Sequence, residues 1–168
     1  MQYVQYYSSP LGKITLASDG KSLTGLWFQG QKYYAQTLDQ EYIEKDLSIF
    51  QDVREWLDSY FRGEIPSIDI PLSPQGSPFR QEVWDILLKI PYGHTMTYGD
   101  IAKEIAKKRG LKTMSSQAVG GAVGHNPISI IIPCHRVMGS NHSLTGYAAG
   151  IETKRRLLDI ENIDYKKS

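Results

Sequence analysis

A chain of 168 residues with a formal net charge of +1, 40% hydrophobic and 22% charged residues can bury an ordinary core, as one domain or two small ones. The near-neutral balance excludes a strongly basic protein that coats nucleic acid, although a local patch could still meet DNA. No stretch approaches the roughly 20 apolar residues of a membrane span, the start Met1-Gln2-Tyr3 does not read as a signal peptide, and a single cysteine forms no internal disulfide, which fits the cytoplasm.

Residues 3–28 read as strands, because Ile14 and Leu16 alternate with polar neighbours, Asp19-Gly20 marks a turn, and Leu23, Leu26 and Phe28 follow. A hairpin is predicted. Residues 46–62 place Leu47, Phe50, Val53, Trp56, Leu57, Tyr60 and Phe61 at three-to-four spacing, an amphipathic helix that Gly63 stops. Ile68, Ile70 and Leu72 alternate as a further strand before the turn-rich Ser73-Pro74-Gln75-Gly76, where a domain boundary is placed between residues 1–74 and 75–168. Ser77 followed by Pro78 opens a second helix with an apolar stripe of Phe79, Val83, Trp84, Leu87 and Leu88. Residues 98–108 carry Ile101, Ala102, Ile105 and Ala106 at helical spacing ahead of Gly110, and Ser115 or Ser116 caps a shorter helix that ends before Gly124. Two short helices joined by a turn suggest helix-turn-helix, with a connector over 109–114 longer than the three or four residues usual for that motif. The expected fold class is α+β: a small amino-terminal α/β domain with a β-sheet, then a helical, helix-turn-helix (winged-helix-like) carboxy-terminal domain.

Ala118, Gly120, Gly121 and Ala122 leave the shorter helix almost without bulk, although glycine costs a helix about 1 kcal/mol relative to alanine. Something must approach it closely, either another protein element or the walls of a DNA groove. Lys103, Lys107, Lys108, Arg109 and Lys112 cluster beside it, as a solvated face or as partners for phosphates.

The lone Cys134 sits in the run Ile130-Ile131-Ile132-Pro133-Cys134-His135-Arg136-Val137, a soft nucleophile next to an imidazole that can serve as its base. Adjacent residues of an extended chain point apart, so the backbone must turn for the two to meet. Helical counting from Ile151 puts positions 151, 154, 157, 158 and 161 on one face, so the Glu161 carboxylate shares an apolar stripe with Leu157 and Leu158. Histidines at 94, 125, 135 and 142 and one thiol show no paired ligand spacing, and no metal site is expected.

Pro133-Cys134-His135-Arg136-Val137, Gly124-His125-Asn126-Pro127, Gly146-Tyr147, Ile90-Pro91-Tyr92-Gly93, Thr97-Tyr98-Gly99 and Gln117-Ala118-Val119-Gly120-Gly121-Ala122 together resemble the O6-alkylguanine-DNA alkyltransferases, or methylated-DNA-protein-cysteine methyltransferases. The likeness covers most of residues 77–161; the first seventy or so resemble the family's amino-terminal domain in size and strand pattern.

The resemblance implies a monomeric DNA repair protein that binds duplex DNA, flips out O6-alkylguanine and moves the alkyl group irreversibly to Cys134 in one turnover, without a cofactor. It implies a Cys134, His135, Glu161 relay, with Tyr98 crowding the phosphate and protonating the leaving purine. Asn126 would tie the recognition helix to the cysteine loop. Backbone groups of Cys134, Val137 and Ala148 would read the guanine edge, Tyr147 would wall the pocket, and Lys154 would support it. Gln117, Ala118, Gly120 and Gly121 would face the groove.

Two positions depart from many relatives: Gln117 stands where an intercalating arginine is common, and Ala148 where a serine is. Some relatives carry a structural zinc near the amino terminus, for which this chain lacks the cysteines. Two other classes share features of the site: a non-catalytic protein that flags alkylated bases, and a cysteine-dependent hydrolase.

Overall fold

The computed structural model describes residues 1–165, which divide into two units: Met1–Gln75 with Pro127–Ile131, and Gly76–Asn126 with the chain from Ile132 onward.

In the first unit, β1 (Gln2–Ser9), β2 (Gly12–Ser18), β3 (Leu23–Phe28) and β4 (Tyr42–Glu44) form one sheet in the order β3-β2-β1-β4. β2 and β3 make the hairpin expected from the sequence, turned by the Asp19 carboxylate, which accepts from the Lys21 and Ser22 amides at 2.9 and 2.8 Å. β1 pairs antiparallel with β2 and parallel with β4. α1 (Ser48–Phe61) buries Phe50, Val53, Leu57 and Tyr60, and Gly63 follows it at φ 85°, the left-handed conformation that ends helices.

The strand expected at Ile68, Ile70 and Leu72 does not form. Leu72 makes only an isolated parallel bridge to Leu23, in which the Leu23 amide donates to Pro71 O at 2.8 Å and the Ser73 amide to Leu23 O at 2.8 Å. Pro66 and Pro71 lack the amides a ladder needs, and Ile68 is exposed, so the alternation of isoleucines did not mark a buried face. Further along β3, the Leu26 amide donates to Pro127 O and the Ser129 amide to Leu26 O. These two single bridges cover an edge that would otherwise present open donors and acceptors, and the second is what brings Pro127–Ile131 into this unit.

In the second unit, α2 (Pro78–Leu87) is capped by Ser77, whose hydroxyl accepts from the Arg80 amide at 3.2 Å. α3 (Tyr98–Arg109) opens with a reciprocal capping box between Thr97 and Asp100 and closes on Gly110 at φ 67°. α4 (Ser116–Gly124) starts at the Ser115 cap and runs through Gly124, one residue beyond the expected end. Residues 110–115 join α3 to α4, and both helices pack against α2. Trp84 fixes that packing: its indole N–H donates to Ala122 O at 2.9 Å, and a Cβ on Gly76 would lie 2.4 Å from its ring. A two-rung parallel ladder joins β5 (Met96–Thr97) to β6 (Val137–Met138). α5 (Ile151–Ile160) closes the unit, burying Lys154, Leu157 and Leu158. No helix among the described residues is long and apolar enough to cross a membrane.

Candidate active site

The approach to Cys134 is a series of tight turns. Ile131 N–H donates to Ser129 O at 2.8 Å around Ile130, whose φ of 70° is rare for a β-branched residue and marks a strained γ-turn. Cys134 N–H donates to Ile132 O at 2.8 Å around Pro133, at φ −82° and ψ 65°, the inverse and unstrained form. Cys134–Arg136 then makes one turn of 3-10 helix. The extended arrangement that would point Cys134 and His135 to opposite sides is therefore absent.

The thiol is 6% exposed. Burial pushes it above the ordinary thiol range, while hydrogen bonds from Asn126 and Tyr147 and the nearby Lys154 charge oppose that rise. Asn126, buried at the end of α4, donates one amide hydrogen to Ile132 O at 2.9 Å, which leaves its second for the sulfur. α4 and the cysteine segment are thus linked through one side chain. Tyr98 comes from another helix, α3. The β5–β6 ladder sets Thr97 beside Met138, so the first residue of α3 lands near the cysteine turn. The Tyr98 hydroxyl accepts from Thr145 Oγ1 at 3.3 Å. Burial raises its phenol above the ordinary value, Thr145 opposes, and a Cys134 charge raises it further, so the phenol keeps its proton at neutral pH.

His135 is fully buried, and its Nε2 lies 2.5 Å from Glu161 Oε2. Glu161 follows the last residue of α5, and its other oxygen accepts from Arg136 Nε at 2.7 Å and from Gly93 N–H at 3.2 Å. Burial alone would lift this carboxyl; the His135 and Arg136 bonds and charges overcome burial and hold it well below the carboxylate range. For His135, burial dominates and lowers the imidazole, with Glu161 opposing. A neutral ring beside an ionised carboxylate must donate from Nε2, which puts the basic lone pair on Nδ1.

Lys154, on the same face of α5, has no solvent exposure and donates to Val137 O at 2.7 Å and Thr145 Oγ1 at 3.5 Å. Burial pulls its ammonium down to about 8, with Cys134 opposing. Val137 N–H donates to Cys134 O, so both backbone groups of Val137 are bonded within the site. Tyr147 and Ala148 are half-buried in the loop before α5.

Gln117, Ala118 and Gly121 form the exposed face of α4, and Gly120 turns toward Tyr98, its Cβ position 3.8 Å from the ring. A Cβ on Gly121 would meet nothing within 4 Å. Within its own unit, the missing bulk at 118 and 121 serves no close contact. A hollow of about 510 Å³ bordered by Tyr98, Gln117, Gly120, Ser140 and Thr145 connects this face to the phenol; Cys134 does not border it. No group of three or more His, Cys, Asp or Glu side chains among the described residues could hold a metal ion.

Residues 78–163 match the family model for the 6-O-methylguanine DNA methyltransferase DNA binding domain, and residues 2–74 match that for its ribonuclease-like domain. The methylated-DNA–protein-cysteine methyltransferase of Haemophilus influenzae is 43% identical over 164 residues, covering 97% of this chain and 88% of the relative. The chain belongs to the methylated-DNA–protein-cysteine methyltransferase family. A further member, from Methanosarcina acetivorans, is 42% identical over 159 residues, covering 95% of this chain and 97% of its own. The crystal structure of Mycobacterium tuberculosis OGT in complex with DNA superposes with a TM-score of 0.82 at 41% identity, covering 95% of this chain and 92% of that one.

Among methyltransferase motifs, Ile90-Pro91-Tyr92-Gly93 carried no role in the sequence, and Arg136 stood only as a neighbour of the cysteine. Here both brace Glu161: Arg136 also donates to Ile90 O at 2.7 Å, Tyr92 hydroxyl donates to Ile160 O at 3.1 Å, and Gly93 reaches the carboxylate. A buried carboxylate beside a neutral histidine still needs a cation to keep it ionised, and that requirement could have led from Glu161 to Arg136.

Proposed function

We propose that this chain repairs alkylated DNA by taking the alkyl group of O6-alkylguanine, chiefly O6-methylguanine, onto its own Cys134. The observation that carries the reading is a buried cysteine bonded by Asn126 and Tyr147 and close enough to the protonated Tyr98 phenol to shift it, followed in the chain by a His135 held by an ionised Glu161.

Duplex DNA would place its minor groove over Gln117, Ala118, Gly120 and Gly121, whose low bulk suits a slim helix between the strands. The lesion base leaves the stack, and Gln117 hydrogen-bonds the orphaned cytosine. In the pocket, backbone groups of Cys134, Val137 and Ala148 read the guanine edge beside Tyr147, with Lys154 fixing the Val137 carbonyl. His135 Nδ1 takes the thiol proton, directly or through a water, and Glu161 stabilises the imidazolium. The thiolate sulfur bonds to the alkyl carbon as the carbon–O6 bond breaks. Tyr98 gives its phenol proton to the departing purine, and the imidazolium and phenolate then exchange a proton through solvent. The group transferred is already activated on the substrate, so the chemistry requires no cofactor. A thioether is not hydrolysed, so each molecule acts once. A reduced thiol is indispensable to this chemistry, which assigns the protein to the cytoplasm.

Intact-mass analysis after incubation with O6-methylguanine duplex tests the reading. One methylene should be gained per chain, on the peptide containing Cys134, with a single stoichiometric burst and none in Cys134→Ser. Continued turnover would identify a hydrolase, and DNA binding without an adduct would identify a lesion flag.

A further inference from the structure

The five basic residues beside α4 separate into two groups. Lys108 pairs with Glu104 at 3.8 Å, and Arg109 pairs with Glu82 at 2.6 Å while lying over the Phe79 ring, its guanidinium 5.5 Å from the centroid. Each pair cancels its own charge. Lys103, Lys107 and Lys112 are exposed and make no ion pair among the described residues. All three border one hollow of about 550 Å³ between α3 and the start of α4. Gly99 and Ser116 border this hollow and also the one that holds Tyr98 and Gln117, so the two are adjacent.

We propose that this three-lysine hollow is a seat for backbone phosphates of duplex DNA flanking the lesion, separate from the α4 face that meets the base. The inference rests on the alkyl-transfer reading for the identity of the duplex. Three uncompensated ammonium groups around a concavity attract a polyanion, and the lining shared with the α4 hollow puts that concavity beside the face that meets the base. Lys108 and Arg109 hold helices in place instead, tying α3 to itself and to α2.

The test is the salt dependence of binding by the full chain to an undamaged duplex, followed by fluorescence anisotropy between about 50 and 200 mM salt. Each phosphate contact contributes about 0.9 to the slope of log K against log salt, so replacing Lys103, Lys107 and Lys112 together by alanine should flatten it by roughly 2 to 3. Single variants should each flatten it by about 1 at most. Lys108→Ala with Arg109→Ala should leave the slope at the wild-type value. Transfer from free O6-alkylguanine, which needs no phosphate contact, should be unchanged in the triple variant. A wild-type slope in the triple variant, or an equal loss in the Lys108 and Arg109 variant, overturns the assignment. A wild-type chain that takes no alkyl group would defeat the transfer reading alone, because the slope on undamaged duplex reports on the lysines independently.

Discussion

Replacing Glu161 by glutamine removes the charge that His135 and Arg136 share while keeping the side chain's shape. Burial pushes this carboxyl up, and the hydrogen bonds and charges of His135 and Arg136 bring it from 4.5 down to about 2. At about 1.4 kcal/mol per tenfold, a shift of that size is linked to roughly 3 kcal/mol of stability at neutral pH. Because the folded-state value is depressed, that stabilisation is fully present above the unfolded value of 4.5 and is lost as pH falls toward 2. Glu161→Gln also leaves the Arg136 guanidinium buried without its counter-charge, and such losses cost about 3–5 kcal/mol. The variant should therefore be less stable than wild type by about 3–5 kcal/mol at pH 7, and the difference should shrink by roughly 2 kcal/mol at pH 3. Urea unfolding of both proteins at a series of pH values measures it, and the subtraction cancels carboxyl groups common to both. A difference that stays constant from pH 7 to pH 3 would refute the claim that ionised Glu161 anchors the site.

Tyr98→Phe should slow alkyl transfer by roughly ten to a thousandfold in single-turnover assays, the range for loss of a positioned proton donor; an unchanged rate would return Tyr98 to a packing role. Gln117→Arg supplies a longer planar cation that can fill the vacated base site, so transfer from duplex should accelerate several-fold while transfer from free O6-alkylguanine stays constant. An equal gain on both substrates would place the effect in the chemistry. Gly121→Leu should fold normally, since a Cβ there meets nothing within 4 Å, yet lose duplex binding in a gel-shift or anisotropy assay. Normal binding by that variant would show that the groove lies elsewhere.

Local signals gave most of the secondary structure. Ser77-Pro78, Thr97 with Asp100, Gly110 and Ser115 each act within a few residues, and α2, α3 and α4 start or stop at them. The helical count that aligned Glu161 with Lys154, Leu157 and Leu158 needed only a regular α5, and all four are buried. Features that depend on distant partners were not legible. β4 exists because Tyr42–Glu44 finds β1 some forty residues away, and nothing in its own three exposed residues marks it. Alternation over Ile68, Ile70 and Leu72 misled for the converse reason: the pattern was local, and no neighbouring strand completed it. The same limit hid the pairing of Arg136 with Glu161, separated by 25 residues, and the complete burial of Lys154. A left-handed Ile130 runs against its own side chain's preference, so it was legible only from the hydrogen bond that closes the turn.

The sparse side chains of α4 also set how readily that helix opens. Gly120 and Gly121 together weaken it by about 2 kcal/mol relative to alanine, and what holds it is the burial of Val119, Ala122 and Val123 and the Ser115 cap. Two glycines lower the cost of opening relative to an alanine helix of the same packing, so the amides of α4 should exchange faster than those of a Gly120→Ala, Gly121→Ala variant. A duplex seated on the exposed face adds contacts that only the closed helix can make, and each such contact raises the free energy of opening. The two glycines thus make the opening equilibrium of α4 one component of the measured affinity.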